Sequence, residues 1–295
     1  MRGARARSSS SGHDTGIRIV VVGKGGVGKT TLSALMARAL ARGGAAVVAV
    51  DADEQANLGA TLGVGLETLR LAEPVSSNVD YIEEKTGARP GEGAGGLLRL
   101  NPDTSDVVDR LAVDGPDGVR LLVMGGVVGA GRGCLCPENA LLAAVVSGMR
   151  LRRDEVLLMD THAGVEHFGR ALARGFDSAL VVVDPTFNAV KVGLDTARLA
   201  AELGIPAIHL VANRCRRPGD AEAVLATVEE LGGFDFASVT PLPYDAAALD
   251  GPPSVGALLD GSPLATAARR LAYQLAGNTI RPMEPAGMGG PACEW

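Results

Sequence analysis

The sequence predicts an α/β fold of three layers, a mainly parallel twisted sheet flanked by helices on both faces. Two observations predict it. Short β-rich runs alternate with longer stretches of helical spacing. Hydrophobic residues fill 46% of the 295 positions while aromatics fill 3%, so the core is built from Ala, Val and Leu, which lets helices lie close against a parallel sheet.

The elements follow in order. Ile17 to Val22 is a β-branched run that reads as a buried strand, and Thr31 to Gly43 carries Leu32, Leu35, Met36, Ala39 and Leu40 at helical spacing. Ala45 to Val50 reads as a second strand ending in Asp51-Ala52-Asp53, and Leu121–Met124, Val156–Met159, Ala179–Val183 and Ile208–Ala212 repeat the pattern. Helical candidates lie between and after them: Pro137–Met149, His167–Arg174, Val190–Leu203, Asp220–Leu231 and Leu264–Ala276. The reading is one domain over 17–278, with an irregular insertion at 63–116 where Gly and Pro separate short charged pieces. Composition predicts a disordered basic, Ser-rich tail over 1–16 and a flexible Pro/Gly-rich tail over 279–295.

Between the first strand and the first helix runs Gly23-Lys24-Gly25-Gly26-Val27-Gly28-Lys29-Thr30-Thr31, which satisfies the phosphate-loop pattern G-x-x-x-x-G-K-S/T. The glycines let the backbone curl so that successive N–H groups point at a triphosphate. Lys29 neutralises the β and γ phosphates, and the Thr30 hydroxyl is placed to hold Mg²⁺. The predicted fold is therefore a P-loop NTPase that takes a nucleoside triphosphate together with Mg²⁺.

Asp51 and Asp53 stand at the carboxyl end of the second strand, the edge where open α/β sheets bind ligands. A carboxylate there positions the attacking water or holds the water shell of Mg²⁺. Val156–Met159 ends in Asp160, the expected Mg²⁺ partner through water, and Thr161-His162-Ala163-Gly164 follows as a turn that senses the γ-phosphate. Asn213-Arg214 falls where a side chain reads a base edge, and Pro241-Leu242-Pro243-Tyr244-Asp245 reads as a stiff loop at the next edge position.

Net charge is −6 and the body of the chain has no dense Lys/Arg block, which disfavours a general nucleic-acid surface. No apolar run reaches the roughly 20 residues a bilayer span needs, and the first sixteen residues lack the apolar middle of a secretion signal. The expectation is a cytoplasmic protein with no membrane partner. The chain's 4 cysteines are too few for a disulfide scaffold. Cys134 and Cys136 flank one residue ahead of an apolar helix, where the helix dipole favours thiolate. They read as half of a tetrahedral site for Ni²⁺ or Zn²⁺, completed by the same pair from a symmetry-related subunit, or as two small inert thiols. Cys215 and Cys293 read as a buried thiol and a tail thiol. His13, His162, His167 and His209 share no metal spacing.

The stretch from roughly 17 to 276 resembles the deviant phosphate-loop ATPases of the MinD, ParA, ArsA and nitrogenase iron-protein superclass. The resemblance rests on Lys24 to Thr31, the Asp51-x-Asp53 pair and the Asp160 turn. Within that superclass it looks most like the CooC-type accessory ATPases that help insert nickel into carbon monoxide dehydrogenase. The matching text is Asn57-Leu58, Arg99-Leu100-Asn101-Pro102, Met124-Gly125-Gly126, Gly133 to Asn139, and Asp160-Thr161 with Ala163 to Arg170. The resemblance implies a homodimer in which Lys24 reaches the partner's nucleotide, Asp53 acts on the attacking water, Asp160 supports Mg²⁺, and two Cys134/Cys136 pairs share one metal ion. It also implies a carbon monoxide dehydrogenase-like client. A positioning or regulatory switch ATPase without metal delivery is the alternative. Two departures stand out: His162 occupies a position where the resemblance leads one to expect Glu, and Glu54-Gln55 replaces a Pro-containing continuation after Asp53.

Overall fold

The computed structural model describes residues 16–89, 99, 102–125, 144–145, 149, 151–162, 175–250 and 254–277. Within them the chain runs β1 (Ile17–Val22), α1 (Lys29–Arg42), β2 (Ala46–Ala52), α2 (Leu58–Leu62), α3 (Leu66–Leu71), α4 (Val79–Thr86), α5 (Val107–Leu111), β3 (Val113–Asp114) and β4 (Arg120–Val123). It continues through β5 (Glu155–Thr161), β6 (Ser178–Val183), α6 (Phe187–Glu202), β7 (Ala207–Cys215), α7 (Asp220–Glu230), β8 (Ser238–Pro243), α8 (Ala247–Asp250) and α9 (Pro263–Ala276).

Among the described residues, the strands form one eight-stranded sheet in the order β3-β4-β2-β5-β1-β6-β7-β8. Every pairing is parallel except the short antiparallel β3–β4 contact at one edge. All six residues of β6 are buried, as are six of the seven in β5. That is the signature of strands covered on both faces, so they read as continuous apolar runs rather than alternating ones. Helices α1 and α9 pack on each other, as do α6 and α7, and α1 also contacts β1, β2 and β5. β1 lies between β5 and β6, where strand order reverses, so the crevice at its carboxyl end is where such a sheet binds a ligand.

Local sequence explains the helix starts. The Thr186 hydroxyl caps α6 by accepting from the Ala189 N–H. Ser262 caps α9 by accepting from the Ala265 N–H, with Pro263 following where its missing N–H costs nothing. α1 differs, because its cap is Gly28 and no side chain accepts from its first turn. Its leading N–H groups are left for something else.

Three readings need correction. Pro241 and Pro243 belong to the edge strand β8 rather than to a loop. Prolines are tolerated at a sheet edge, but each removes a donor, and the β7–β8 ladder shifts register between Ala212 and Cys215 where they pair. The 63–116 segment holds α3, α4, α5 and β3, and is joined by the buried Tyr81, whose hydroxyl donates to Asp106 Oδ1 at 2.9 Å while Lys85 donates to Asp106 Oδ2 at 2.8 Å. Sequence periodicity misses these helices because each is only five to eight residues long. Cys215 is half-buried rather than buried, its thiol donating to the Ala212 carbonyl at 3.2 Å. The helix predicted over His167–Arg174, and all but 144–145 and 149 of that over Pro137–Met149, lie outside the described residues.

Candidate nucleotide site

The phosphate loop leaves β1 through backbone conformations that favour glycine. Gly23 has φ 140° and Gly28 has φ 97°. A Cβ on Gly23 would stand 2.2 Å from the Val182 carbonyl oxygen, and one on Gly28 would stand 2.5 Å from Asn213 Nδ2. Both glycines are thus demanded by neighbours on other strands as well as by the turn. The loop opens onto a cavity of about 370 Å³ lined by Gly25, Gly26, Gly28, Lys29, Thr30, Thr31 and residues from three other segments.

Lys29 is 6% exposed and donates from Nζ to the Lys24 carbonyl at 3.2 Å. Burial lowers its pKa, while the nearby charges of Asp160 and Asp53 oppose that shift. A cation already stripped of much of its water interacts strongly with an anion entering the cavity. Lys24 itself is exposed, and its side chain is not on the cavity wall.

Three carboxylates stand at the carboxyl ends of β2 and β5. Asp51 and Asp160 are register partners on these strands and both are fully buried. Asp160 Oδ1 accepts from the Ser33 hydroxyl at 3.2 Å, and among the described residues its buried Oδ2 has no partner. Burial raises its pKa to about 6, partly offset by the Thr30 hydroxyl and the Lys29 charge. The unpartnered oxygen beside Thr30 fits Mg²⁺, which takes one or two protein oxygens and leaves the rest of its octahedron to water and phosphate.

Asp51 lies inside β2 and does not line the cavity. Its Oδ1 accepts from the Asp53 N–H at 3.2 Å and its Oδ2 from the Leu58 N–H at 2.9 Å, so it pins both ends of the 53–58 loop. Burial pushes its pKa up to about 7, against the pull of the Leu58 N–H. Asp53 does line the cavity, and its Oδ1 accepts from the Gln55 N–H at 2.9 Å. Gln55, Asn57, His162 and Arg214 complete the wall.

At the other end, Asn213 Nδ2 donates to the Val27 carbonyl at 2.7 Å, bracing the phosphate loop. Arg214 follows with φ 61°, at the irregular stretch of the β7–β8 ladder. A smaller cavity of about 30 Å³ adjoins, lined by Gly28, Thr31, Asn213, Arg214, Pro243 and Tyr244 among others. Pro241 is exposed and lies outside both walls. The Arg216 guanidinium stacks 3.5 Å over the Tyr244 ring beside this second cavity.

The structure thus gathers Gly25, Gly26, Gly28, Lys29, Thr30, Thr31, Asp53 and Arg214 at one cavity, with Asp160 and Asn213 supporting it. Sequence reasoning gave no site role to Ser33, Gln55 or Asn57, although the last two fall in stretches it singled out. Ser33 carried one signal, its place one helical turn after Thr30. Cys134, Cys136, Cys293, His13 and His167 lie outside the described residues. Among the described residues no three His, Cys, Asp or Glu side chains are grouped to hold a metal ion. His209 is half-buried against the Ser238 hydroxyl at 2.8 Å.

A parallel sheet with a glycine loop, a buried lysine and strand-end carboxylates at its switch point defines a phosphate-loop ATPase. Residues 19–250 match the model of the CobQ/CobB/MinD/ParA nucleotide-binding domain, and the chain belongs to that family. It is 37% identical over 231 residues to the carbon monoxide dehydrogenase accessory protein CooC of Rhodospirillum rubrum, covering 78% of this chain and 85% of that one. It is 34% identical over 229 residues to an uncharacterized ATP-binding protein of Methanocaldococcus jannaschii, covering 78% and 86% respectively. The fold is similar to that of the septum site-determining protein MinD complexed with Mg-ADP from Pyrococcus horikoshii, with a TM-score of 0.61 at 21% identity over 90% of this chain and 99% of the other.

Proposed function

We propose that the chain is a slow Mg-dependent ATPase that dimerises with nucleotide and acts as a nickel-insertion factor for a carbon monoxide dehydrogenase-like enzyme. The observation that carries this reading is the 37% identity to CooC across 85% of that protein, joined to a cavity whose wall holds Lys29, Thr30 and Asp53. In the proposed reaction Lys29 and the α1 N–H groups hold the phosphates, Thr30 and, through water, Asp160 would hold Mg²⁺, and Asp53 receives the proton of the attacking water. Bound there, Mg²⁺ would neutralise charge on the phosphates. Arg214, Asn213 and Pro243 flank the smaller cavity, which suits one edge of the base.

Lys24, exposed at the rim, is free in position to meet a second subunit's nucleotide. Cys134 and Cys136 from each of two chains would make a four-thiolate site for Ni²⁺ cargo or Zn²⁺. No helix among the described residues is long and apolar enough to cross a membrane, and the reading keeps the protein in the cytoplasm, without nucleic-acid or membrane partners.

Metal titration of the purified protein in Mg-ADP and Mg-ATP tests this. About half an equivalent of Ni²⁺ or Zn²⁺ per chain is expected from the ligand count, lost in a Cys134→Ser/Cys136→Ser variant that still binds ATP. Equal uptake by wild type and variant, or none by wild type, leaves a positioning or switch ATPase as the better reading.

A further inference from the structure

The loop between Asp53 and Leu58 is ordered by its own hydrogen bonds. Besides the two anchors on Asp51, the Gln55 N–H donates to Asp53 Oδ1 at 2.9 Å and the Ala56 N–H to the Asp53 carbonyl at 3.0 Å. Ala56 sits at φ 49°, a left-handed conformation that a non-glycine residue adopts at a cost. This turn places the side chains of Asp53, Gln55 and Asn57 together on the wall of the 370 Å³ cavity that also holds Lys29 and Thr30.

Within that trio, Asn57 Nδ2 donates to Gln55 Oε1 at 3.2 Å. The contact assigns the two ends of the Gln55 carboxamide. With one lone pair of Oε1 taken by Asn57, Nε2 keeps two N–H groups to donate. A neutral donor on the wall of this cavity, with its acceptor end turned to Asn57, is suited to an oxygen whose charge grows during reaction.

We propose that Gln55 is a catalytic residue of ATP hydrolysis, donating a hydrogen bond from Nε2 to an equatorial oxygen of the terminal phosphoryl group. The assignment rests on the ATPase reading above. Water oxygen bonds to the γ-phosphorus as the bond to the β–γ bridging oxygen breaks, and the electron pair leaves with ADP. The water proton passes to Asp53, whose Oδ1 already accepts from Gln55 N–H, leaving Oδ2 to take it. Charge spreads over the three equatorial oxygens, and Gln55 steadies one of them without transferring its own proton.

The test is steady-state Mg-ATP hydrolysis and ADP binding by the full chain and three variants. Gln55→Glu keeps the shape and the acceptor for Asn57 but removes the donor and adds charge. Gln55→Ala removes the carboxamide, and Asn57→Ala releases its orientation. Gln55→Ala should lower kcat at least about tenfold with KM within about threefold, as loss of a transition-state donor does. Gln55→Glu should fall further and Asn57→Ala less, while ADP affinity in all three stays within about twofold. Wild-type turnover in Gln55→Ala, whatever Gln55→Glu does, overturns the assignment, as does a parallel loss of turnover and ADP affinity in both Gln55 variants. Absence of hydrolysis by the wild type removes the ATPase reading itself, whereas hydrolysis untouched by Gln55→Ala removes this assignment alone.

Discussion

The two walls of the phosphate cavity are built on opposite plans. One is the start of α1, where Lys29 and Ser33 are buried and Ser33 donates to Asp160 on β5. The other is the 53–58 loop, whose Asp53, Gln55 and Asn57 are partly or largely exposed and which is held by its own hydrogen bonds and, from β2, by the Asp51 carboxylate. A wall fixed by the core suits binding of the charge common to all nucleotides. A wall tied to the sheet through one side chain suits groups that respond to the terminal phosphate, since lightly packed segments shift at small free-energy cost.

The widest separation between the walls should come from Lys29→Ala, expected to weaken ATP and ADP alike by on the order of a hundredfold or more, because the lost cation makes charge-assisted contacts. Calorimetric titration measures it, and ADP affinity near the wild-type value would erase the division. Asp53→Ala should do the reverse, leaving both affinities within about threefold while turnover drops at least about a hundredfold. Phosphate release under saturating Mg-ATP reads this directly.

Asp51→Asn comes next. An amide replaces one of the two acceptors with a donor facing an N–H, so the loop loses an anchor while the α1 wall is untouched. Turnover should fall about tenfold with ADP affinity nearly unchanged, at a cost of about 1–3 kcal/mol in stability for the mismatched N–H. A matching loss of ADP affinity would show that the walls are one unit.

The contrast was unevenly legible in the sequence. The α1 wall could be read because its residues are contiguous, from Gly23 to Thr31, and each chemical type has one use there. The strand-end carboxylates Asp53 and Asp160 were legible from apolar runs that stop at an acid. What was not legible is the bracing: Ser33 meets Asp160 127 residues away, and Asn213 meets Val27 across 186. Such contacts follow from strand order and register, which local periodicity does not encode. Asp51 looked like a ligand for the same reason, since its strand position was readable but its direction toward Leu58 was not. The prolines of β8 suggested a loop because an edge strand tolerates what a central one rejects.

Protonation gives a smaller and pH-dependent comparison. Asp51 is raised to about 7 and Asp160 to about 6, both chiefly by burial. The folded chain therefore holds protons that the unfolded chain releases above the ordinary carboxylate range. Stability is greatest below that range and falls as pH rises through about 6 to 7. The nucleotide-free melting temperature should drop by a few degrees between pH 5 and 8. Asp160→Asn should flatten part of that slope, and a flat wild-type profile would contradict the burial argument. Least is expected of Ser33→Ala, which removes one neutral donor from Asp160 at a cost of about 1 kcal/mol. Its mark should be a several-fold rise in the Mg²⁺ needed for half-maximal hydrolysis, with no change in kcat.

The sheet's far margin has a consequence for how copies of this chain behave when crowded. A strand with free amides along its outside is a template on which another molecule's strand can be laid, the first step of edge-to-edge aggregation. β8 carries prolines at 241 and 243, within a span of six residues, and its ladder is already irregular beside them. A stretch this poor in donors offers an incoming strand no regular ladder to copy. The margin is thus a poor template for an added strand.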